Sequence, residues 1–478
     1  MVQKDEVLRW IETNAAELVR LADSIWEHPE LGFKEAYASS LLADVLQREG
    51  FSVERDASGI PNAFMAQRGT GQPVIGVLGE YDALPGLSQK VSATREPLVE
   101  GAPGHACGHN LLGVASLGAV LGAAAALQQA GLPGTVRYYG CPAEETLMGK
   151  VFMAREEMFS DLDAALTWHP MYGNTVWSAS SAALNSFKLS FHGVSAHAGA
   201  APEAGRSALD AVMLTDVGVN FLREHIPANV RIHCIVTHGG EAPNIVPAFA
   251  QSWYYVRAPD RALVKDVYER VLNVARGAAL MTGTELEVEF DADCHDFLPN
   301  RTLEAVLLSN MKLVGAPAFT ASDFEFAEAL VRTLPSGAVE NAARALGKTF
   351  DELGGVLCTN VFESLGGLSA GEVQPISTDV GDVSHIVPTA QMTACCMPLG
   401  VQLHTWQAVA SCGSSIGHRA MLCAAAVLGL TVVDLIAQPG KVRMAREEFA
   451  RSTSGKYECP LPDDVRPPSR DATEKRDE

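Results

Sequence analysis

Short apolar runs that alternate with helical stretches are the feature of this sequence that most limits its fold. Runs at residues 74–78, 136–139 and 164–167 have the length and composition of buried strands, and helical spacing of apolar residues marks the segments around them. Parallel strands require long crossovers and are covered by helices on both faces. We therefore predict an α/β architecture, in which a mixed, mostly parallel sheet is sandwiched by helices.

Two stretches are apolar enough to resemble membrane spans, residues 110–136 and 420–433. The first is rich in Gly and Ala and is interrupted by Gln128 and Gln129, and the second is too short for the ~30 Å of a hydrocarbon core. We predict that both are helices buried in the large α/β core.

The pattern changes after Trp177 to a strand-helix-strand-strand-helix-strand order. These elements are predicted at residues 187–191, 207–223, 231–237, 250–256, 263–280 and 285–290. The order predicts a ferredoxin-like α+β domain inserted into the larger one, for the lid and for dimerisation.

We place the domain boundaries from these patterns. The catalytic domain is predicted to be discontinuous, with residues 1–183 and 294–450, and the inserted domain to span 184–293. Residues 451–478 are polar and Pro-rich, which predicts an extended or disordered tail. Residues 320–375 are less regular, and the sequence leaves open whether they form a substrate-proximal insertion or a loosely ordered excursion.

The charge balance excludes several classes of partner. The chain has 36 Lys and Arg against 57 Asp and Glu, a formal net charge of -21. Nucleic acids and anionic membranes require clustered basic residues, so neither is expected as a partner. The ten cysteines contain no C-x-x-C pair and the start of the chain has no apolar signal region, which predicts a reducing, cytoplasmic location.

Candidate metal ligands occur where the predicted strands end. Asp82 follows the first run, Glu144 and Glu145 follow the second, and His169 follows the third, while Cys107, His109 and His404 lie in connecting segments. Thiolate, imidazole and carboxylate are the ligand types of zinc and related ions. Adjacent glutamates cannot point the same way, so one can bind a metal while its neighbour serves as a base for amide hydrolysis.

A serine hydrolase is the rival interpretation of the sequence. Residues 367–371 fit the G-x-S-x-G pattern around Ser369, but no apolar strand leads into them and no clear helix follows. The strand-turn-helix context of a nucleophile elbow is therefore missing.

Several motifs carry a resemblance to a known family. They are WEHPELG (26–32), GEYDALP (79–85), HACGHN (105–110), CPAEE (141–145), GVSAHA (193–198) and LH (403–404). In this order they resemble the dinuclear-metal family of aminoacylases, glutamate carboxypeptidases and auxin-conjugate amidohydrolases. The segments IPNAF (60–64), LTWHP (166–170), STDVGDVS (377–384) and HTWQ (404–407) are similar to its p-aminobenzoyl-glutamate hydrolase branch. The likeness covers nearly the whole chain.

The resemblance implies a role for each matching residue. The positions of two divalent metal ions (Zn or Mn, with Co also possible) are implied for Cys107, His109, Glu145, His169 and His404, with Cys107 at the bridging position. Glu144 matches the general base that activates a metal-bound water, and Asp82 matches the carboxylate that orients a metal ligand. His197 matches a histidine that reaches the active site of a partner subunit and helps to hold the oxyanion.

The implied activity is hydrolysis of the amide bond of an N-acyl amino acid, p-aminobenzoyl-glutamate or a similar aryl-amide conjugate. Candidates for binding the substrate carboxylate are Asn244, Arg257 and Arg206. Other N-acyl amino acids, dipeptides and auxin-amino acid conjugates are alternative substrates. A non-catalytic partner subunit is the alternative role, against which the complete ligand set and Glu144 argue. The expected assembly is a homodimer or a hetero-oligomer with a homologous subunit.

Overall fold

A computed structural model describes residues 2–453 and 456–469 of the chain. The chain forms two compact units, one from residues 1–180, 298–372 and 382–478, the other from residues 181–297 and 373–381. The segment 373–381 was expected in the catalytic domain. It belongs to the second unit because the Ala182 N–H donates to the carbonyls of Gln374 and Ile376, at 3.0 and 2.9 Å.

The α-helices of the described residues are numbered α1 to α14 in chain order. They span Val2–Glu27, Ala36–Arg48, His109–Ala130, Gly149–Arg155, Ala208–Leu222, Arg261–Thr282, Arg301–Val314, Ala321–Val331, Ala338–Ala345, Phe350–Leu353, Val380–Ser384, Trp406–Cys412, Ser415–Ala437 and Pro439–Ser452. The strands β1 to β14 span Ser52–Arg55, Phe64–Thr70, Val74–Glu80, Gly134–Cys141, Ala164–Met171, Asn174–Val176, Ser180–Ser181, Ala183–His192, Arg231–His238, Phe249–Ala258, Glu285–Cys294, Val361–Phe362, Val373–Gln374 and Thr389–Cys395.

The first unit is built on an eight-stranded mixed sheet with the order β1-β2-β4-β3-β5-β14-β6-β12. Its central strands, β4, β3, β5 and β14, run parallel to one another. Every residue of β3 and of β14 is buried, as expected for strands covered on both faces. The predicted α/β fold is thus confirmed, and the carboxyl ends of the parallel strands lie along one edge.

Two apolar helices fill the core of the first unit. Helices α3 and α13 are long and apolar enough to cross a membrane, but 94% and 83% of their apolar windows are buried inside the protein. Both predicted core helices are therefore confirmed. They pack with α1, whose apolar stripe of Val7, Ile11 and Leu18 is almost fully buried.

Residues 320–372 form a small helical layer on the first unit. Helices α8 and α10 begin with capping boxes, in which Thr320 pairs with Asp323 and Thr349 with Glu352. Buried side chains of the segment pack with Tyr172 in a separate hydrophobic cluster. The segment is thus ordered rather than a loose excursion; its helices are short, so their periodicity was too brief to recognise in the sequence.

The second unit has a four-stranded antiparallel sheet with the order β11-β8-β10-β9. The elements follow as β8, α5, β9, β10, α6 and β11, which is the predicted ferredoxin-like order. Ser207 and Asp260 begin α5 and α6 by accepting backbone N–H groups of Asp210 and Leu263. Both helices bury one face in the cluster that includes Phe187, Phe191 and Tyr254.

The end of the chain was predicted to be extended or disordered from residue 451. Residues 451 and 452 still belong to α14, and residues 456–469 contain no helix or strand. Arg155 donates to the carbonyl of Val465 at 2.7 Å, so the described part contacts the first unit. The rest of this prediction concerns residues 454–455 and 470–478, which lie outside the described residues.

Candidate metal centre

The candidate ligands meet at the carboxyl edge of the central sheet. Strand β3 ends at Glu80, two residues before Asp82, and β4 ends three residues before Glu144. His169 lies near the end of β5. Ligands bind beyond the carboxyl ends of parallel strands because the connecting loops converge there.

Five predicted ligands form two groups that share one residue. Cys107, His109 and His169 place one possible ligand atom each within 4.8 Å of one another, and so do Cys107, Glu145 and His404. The Cys107 Sγ lies 3.4 Å from the His169 Nε2, and the His404 Nε2 lies 3.4 Å from the Glu145 Oε2. The thiol is therefore common to both groups, which is the arrangement that a bridging ligand between two ions requires.

Local backbone conformation presents these ligands. Gly108, between Cys107 and His109, has a φ of +76° and precedes the first residue of α3. A Cβ at Gly108 would lie 2.8 Å from the Pro170 ring, so glycine is needed for both reasons. His404 has a φ of +61°, and its backbone N–H donates to the Ala106 carbonyl at 3.2 Å.

Hydrogen bonds leave the Nε2 atoms of two histidines for metal binding. The Nδ1–H of His109 donates to the Asp82 Oδ1 at 2.9 Å, and that of His169 donates to the Pro170 carbonyl at 2.9 Å. Such bonds set the tautomer and the orientation of a metal-binding imidazole. The second Asp82 oxygen accepts the Glu145 N–H at 2.8 Å, so one buried carboxylate holds two of the candidate ligands.

The chemistry of these atoms fits divalent cations. The His109 Nε2 and the Glu145 Oε1 are buried and make no hydrogen bond within residues 2–453 and 456–469. Burial raises the pKa of the Cys107 thiol well above its usual value, and burial with the nearby Asp82 charge raises the pKa of Glu145 to about 7. A cation would stabilise the thiolate and the carboxylate in place of this cost. Cys, His and Glu together suit Zn or a related transition metal.

Glu144 lies beside both ligand groups without belonging to either. Its Oε2 is 3.9 Å from the His109 Nε2, and it groups with Glu80 and His109. Glu144 and Glu145 occupy a short 3-10 turn flanked by left-handed residues, Ala143 with a φ of 56° and Leu147 with a φ of 58°. The turn directs the two adjacent carboxylates differently, as the sequence predicted for a base and a ligand.

Glu80 and Lys150 were missed in the sequence. The Lys150 Nζ lies 2.7 Å from the Glu80 Oε1, both side chains are buried, and the Glu80 Oε2 is 3.3 Å from the His109 Nε2. A usable signal existed, since Glu80 ends an otherwise apolar strand and Lys150 lies within a helix whose next four residues are apolar.

The remaining predicted residues belong to the second unit. His197 is exposed, and its Nδ1 accepts the N–H groups of Gly199 and Ala200 at 3.1 Å each, which makes Nε2 the protonated nitrogen of the neutral ring. Asn244 is exposed and adjacent, because its carbonyl accepts the Ala198 N–H at 3.0 Å.

The two arginines are not brought to His197 in the same way. Arg257 donates to the Ser377 Oγ at 3.1 Å and lies 5.7 Å from the Tyr255 ring centroid. Arg206 donates to the carbonyls of Glu203 and Gly205 in its own loop. Each guanidinium therefore has internal partners within the second unit.

The environment of Ser369 does not resemble a nucleophile elbow. Ser369 follows a 3-10 turn at Gly366–Leu368, and its Oγ donates to the Gly366 carbonyl at 2.6 Å. The hydroxyl is also 3.0 Å from that of Ser364. A hydroxyl bonded to its own turn is a local structural feature.

Comparisons with known proteins agree with this geometry. A family model described as a peptidase dimerisation domain matches residues 181–280. The chain is 42% identical over 469 residues to one of the p-aminobenzoyl-glutamate hydrolase subunits of Escherichia coli, with 96% of this chain and 97% of that protein covered. It is 29% identical to the Xaa-Arg dipeptidase of Mus musculus, over 92% of this chain and 90% of that protein.

Solved structures share the fold. The YXEP protein of Bacillus subtilis, described as a dinuclear metal binding peptidase from the M20 family, has a TM-score of 0.56 at 18% identity and covers 89% of this chain and 99% of its own. An aminobenzoyl-glutamate utilization protein from Klebsiella pneumoniae has a TM-score of 0.54 at 18% identity, over 86% and 97%.

The fold and the relatives define a metal-dependent hydrolase of the M20 family that acts on amide bonds. Within that class, the chain belongs to the family of the Escherichia coli p-aminobenzoyl-glutamate hydrolase that it matches over nearly its whole length. The predicted family and the predicted metal-dependent amidohydrolase are confirmed.

Proposed function

We propose that this enzyme hydrolyses the amide bond of p-aminobenzoyl-glutamate or a closely similar N-aroyl amino acid. The observation that carries the proposal is the pair of ligand groups that share Cys107, with Glu144 beside them. The identity to a p-aminobenzoyl-glutamate hydrolase supports the choice of substrate.

Cys107, His109, Glu145, His169 and His404 would hold two divalent ions. When bound, such ions polarise a substrate carbonyl and make water more acidic. Glu144 accepts a proton from the attacking water at a carboxylate oxygen and passes it to the nitrogen of the leaving amine. Asp82 keeps the His109 ring in place and bonds to the Glu145 backbone throughout.

His197 is proposed to stabilise the oxyanion of the tetrahedral intermediate. Its Nδ1 accepts two backbone N–H groups, so its Nε2–H is the donor that the ring offers. A preorganised donor aimed at developing charge contributes strongly to catalysis. Asn244, which is bound to the same loop, and Arg257 and Arg206 are the proposed binding residues for the substrate carboxylate.

We also propose that the second unit pairs with the same unit of another chain, either a second copy or a homologous subunit. The exposed face of α5 carries Met213, Val217 and Phe221 at intervals of four residues, and they are 60%, 50% and 75% exposed. Strand β9 is at the sheet edge and exposes Ile235 and Val236. An apolar helix stripe beside an unpaired strand edge is typical of an interface.

A cytoplasmic location is part of the same proposal. All ten cysteines lie in the described residues as free thiols, and Cys107 must stay reduced to bind a metal. Fractionation of cells that produce the protein tests this, and recovery in an oxidising compartment would contradict it.

The experiment for the function is a substrate panel with the purified chain loaded with Zn, Mn or Co. The panel holds p-aminobenzoyl-glutamate, hippurate, indole-3-acetyl-aspartate and an Xaa-Arg dipeptide. We expect the highest kcat/KM for p-aminobenzoyl-glutamate, and loss of activity with a strong chelator. A higher value for another member would reassign the substrate, and inactivity of the loaded chain on its own would favour the role of a non-catalytic partner.

A further inference from the structure

A buried carboxylate outside the metal site contacts the loop that carries Glu144 and Glu145. Glu35 is fully buried, and its Oε1 accepts the backbone N–H of Ala143 at 2.7 Å. The two residues are 108 positions apart in the chain. Ala143 directly precedes the proposed base and the proposed metal ligand.

The contact is made where the backbone most needs support. Ala143 has a φ of 56° and a ψ of 41°, the left-handed region that non-glycine residues rarely occupy. Such residues persist only where their surroundings hold them, and they cluster at functional sites. The direction in which Glu144 and Glu145 point depends on this turn.

Glu35 is itself held in place. The Asn62 Nδ2 donates to the Glu35 Oε2 at 3.3 Å and to the Phe33 carbonyl at 3.0 Å. The Asn62 carbonyl accepts the hydroxyls of Tyr81 and Ser39, at 2.6 and 2.8 Å. Asn62 belongs to the segment IPNAF, which the proposed catalytic chemistry does not otherwise use.

Packing brings the segment before Glu35 against the same loop. A Cβ at Gly32 would lie 3.1 Å from the Ala143 Cβ and 3.2 Å from the Thr146 Cγ2. The close approach therefore favours glycine at that position. On the other side of the turn, Asp82 accepts the Glu145 N–H at 2.8 Å. Two buried carboxylates from separate segments thus hold the backbone on either side of Glu144.

We propose that Glu35 is a positioning residue, which holds Ala143 so that Glu144 and Glu145 face the metal site. Glu35 acts through the backbone and touches neither ion nor substrate. This inference rests on the roles proposed above for Glu144 and Glu145. It also gives a function to the segments around Glu35 and Asn62, which supply the acceptor and its anchor.

The test compares two substitutions that separate reach from charge. Glu35→Gln keeps the side-chain length and one oxygen acceptor, whereas Glu35→Asp keeps the charge but withdraws the carboxylate by one methylene. Glu30→Asp is the matched control, because Glu30 also accepts backbone N–H groups, those of Tyr37 and Ala38, but not from the catalytic loop.

The readouts are the absorption spectrum of the Co²⁺-loaded protein, the affinity for Co²⁺ and Zn²⁺, and kcat and KM for p-aminobenzoyl-glutamate. Because loss of an outer support of a metal ligand costs about 10–100-fold in metal affinity or activity, we expect that loss in Glu35→Asp, mainly in kcat. Glu35→Gln should stay within about threefold of the unmodified enzyme, as rescue by the variant that keeps the acceptor predicts. The control should leave the spectrum unchanged.

Two results would overturn the inference. One is an unmodified spectrum and metal affinity in Glu35→Asp, even with a lower Tm, because Glu35 would then be merely structural. The other is a greater loss in Glu35→Gln than in Glu35→Asp, because charge rather than reach would then matter. The spectrum and the affinities need no substrate, so they stand or fall separately from the substrate panel.

Discussion

The ammonium of Lys150 lies 2.7 Å from the Glu80 carboxylate, and neither side chain is more than 3% exposed. The other Glu80 oxygen is 3.3 Å from the His109 Nε2, the nitrogen offered to a metal. This pair therefore places a compensated carboxylate next to the candidate ligands, in a part of the core where an uncompensated charge would be costly.

Removal of the lysine charge should destabilise the first unit. Lys150→Met leaves the Glu80 carboxylate buried beside Glu144 without this ammonium, and we expect a loss of about 3–5 kcal/mol in the free energy of unfolding. Urea unfolding followed by circular dichroism measures it. Arg55→Met is the control, since its exposed pair with Asp44 contributes at most about 1 kcal/mol. Equal losses in both variants would contradict the prediction.

Asp82→Asn should weaken metal binding. The asparagine cannot provide charged acceptors to both the His109 Nδ1–H and the Glu145 N–H, so both ligands lose orientation. Metal affinity should fall about 10–100-fold, measured by competition with a chelator. Asp23→Asn removes a similar carboxylate from His418, at 2.8 Å, and should leave metal affinity as it was. Tight metal binding in Asp82→Asn would refute this role.

Glu144→Gln should separate catalysis from metal binding. An amide cannot accept the proton of the attacking water, so kcat should fall about 10²–10⁴-fold. Both ions should still bind, because Glu144 belongs to neither of the groups that share Cys107. Metal content is measured by atomic emission, and the exposed Glu156→Gln serves as control. Full turnover in Glu144→Gln would exclude Glu144 as the base.

A charge on the exposed face of α5 should prevent assembly. Phe221→Glu places a carboxylate in the proposed apolar interface, and light scattering should show a shift from the dimer to the monomer. Met444→Glu is the control, because Met444 is also exposed at 58%, but on α14 of the first unit. A dimer of unaltered stability in Phe221→Glu would exclude α5 as its interface.

Asp323 should make the fold sensitive to acid. Burial acts to raise its pKa, but hydrogen bonds from Ser415 and Thr320 and the Arg419 charge outweigh burial and hold the pKa below its ordinary value. A lowered carboxyl pKa stabilises the fold above the unfolded value of about 3.9, and this stability is lost as the pH falls through the folded pKa.

Asp323→Asn should therefore lower the Tm at pH 7 and flatten its decline between about pH 4 and pH 2. Thermal melts across this range measure both effects. The exposed Asp44→Asn should follow the unmodified protein. A decline as steep in Asp323→Asn as in the unmodified protein would assign the acid sensitivity to other groups.

The order of elements could be predicted from local pattern alone. The apolar runs of β3, β4 and β5 and the periodicity of α1, α5 and α6 lie within single short segments, and the structure has each of them. The short helices α8 and α9 could not be recognised, because 8 to 11 residues give too little periodicity. The transfer of residues 373–381 to the second unit depends on backbone bonds to Ala182, which no local pattern reports.

The sequence by itself determined the ligand types, their positions at strand ends and the family of the chain. Only the tertiary structure decided that Cys107 is common to two ligand groups, that Lys150 pairs with Glu80, and that Glu35 bonds to Ala143. The physical reason is separation along the chain. Local propensity reports on neighbouring residues, whereas contacts between residues 70 to 300 positions apart form only when the sheet and its crossovers close around one core.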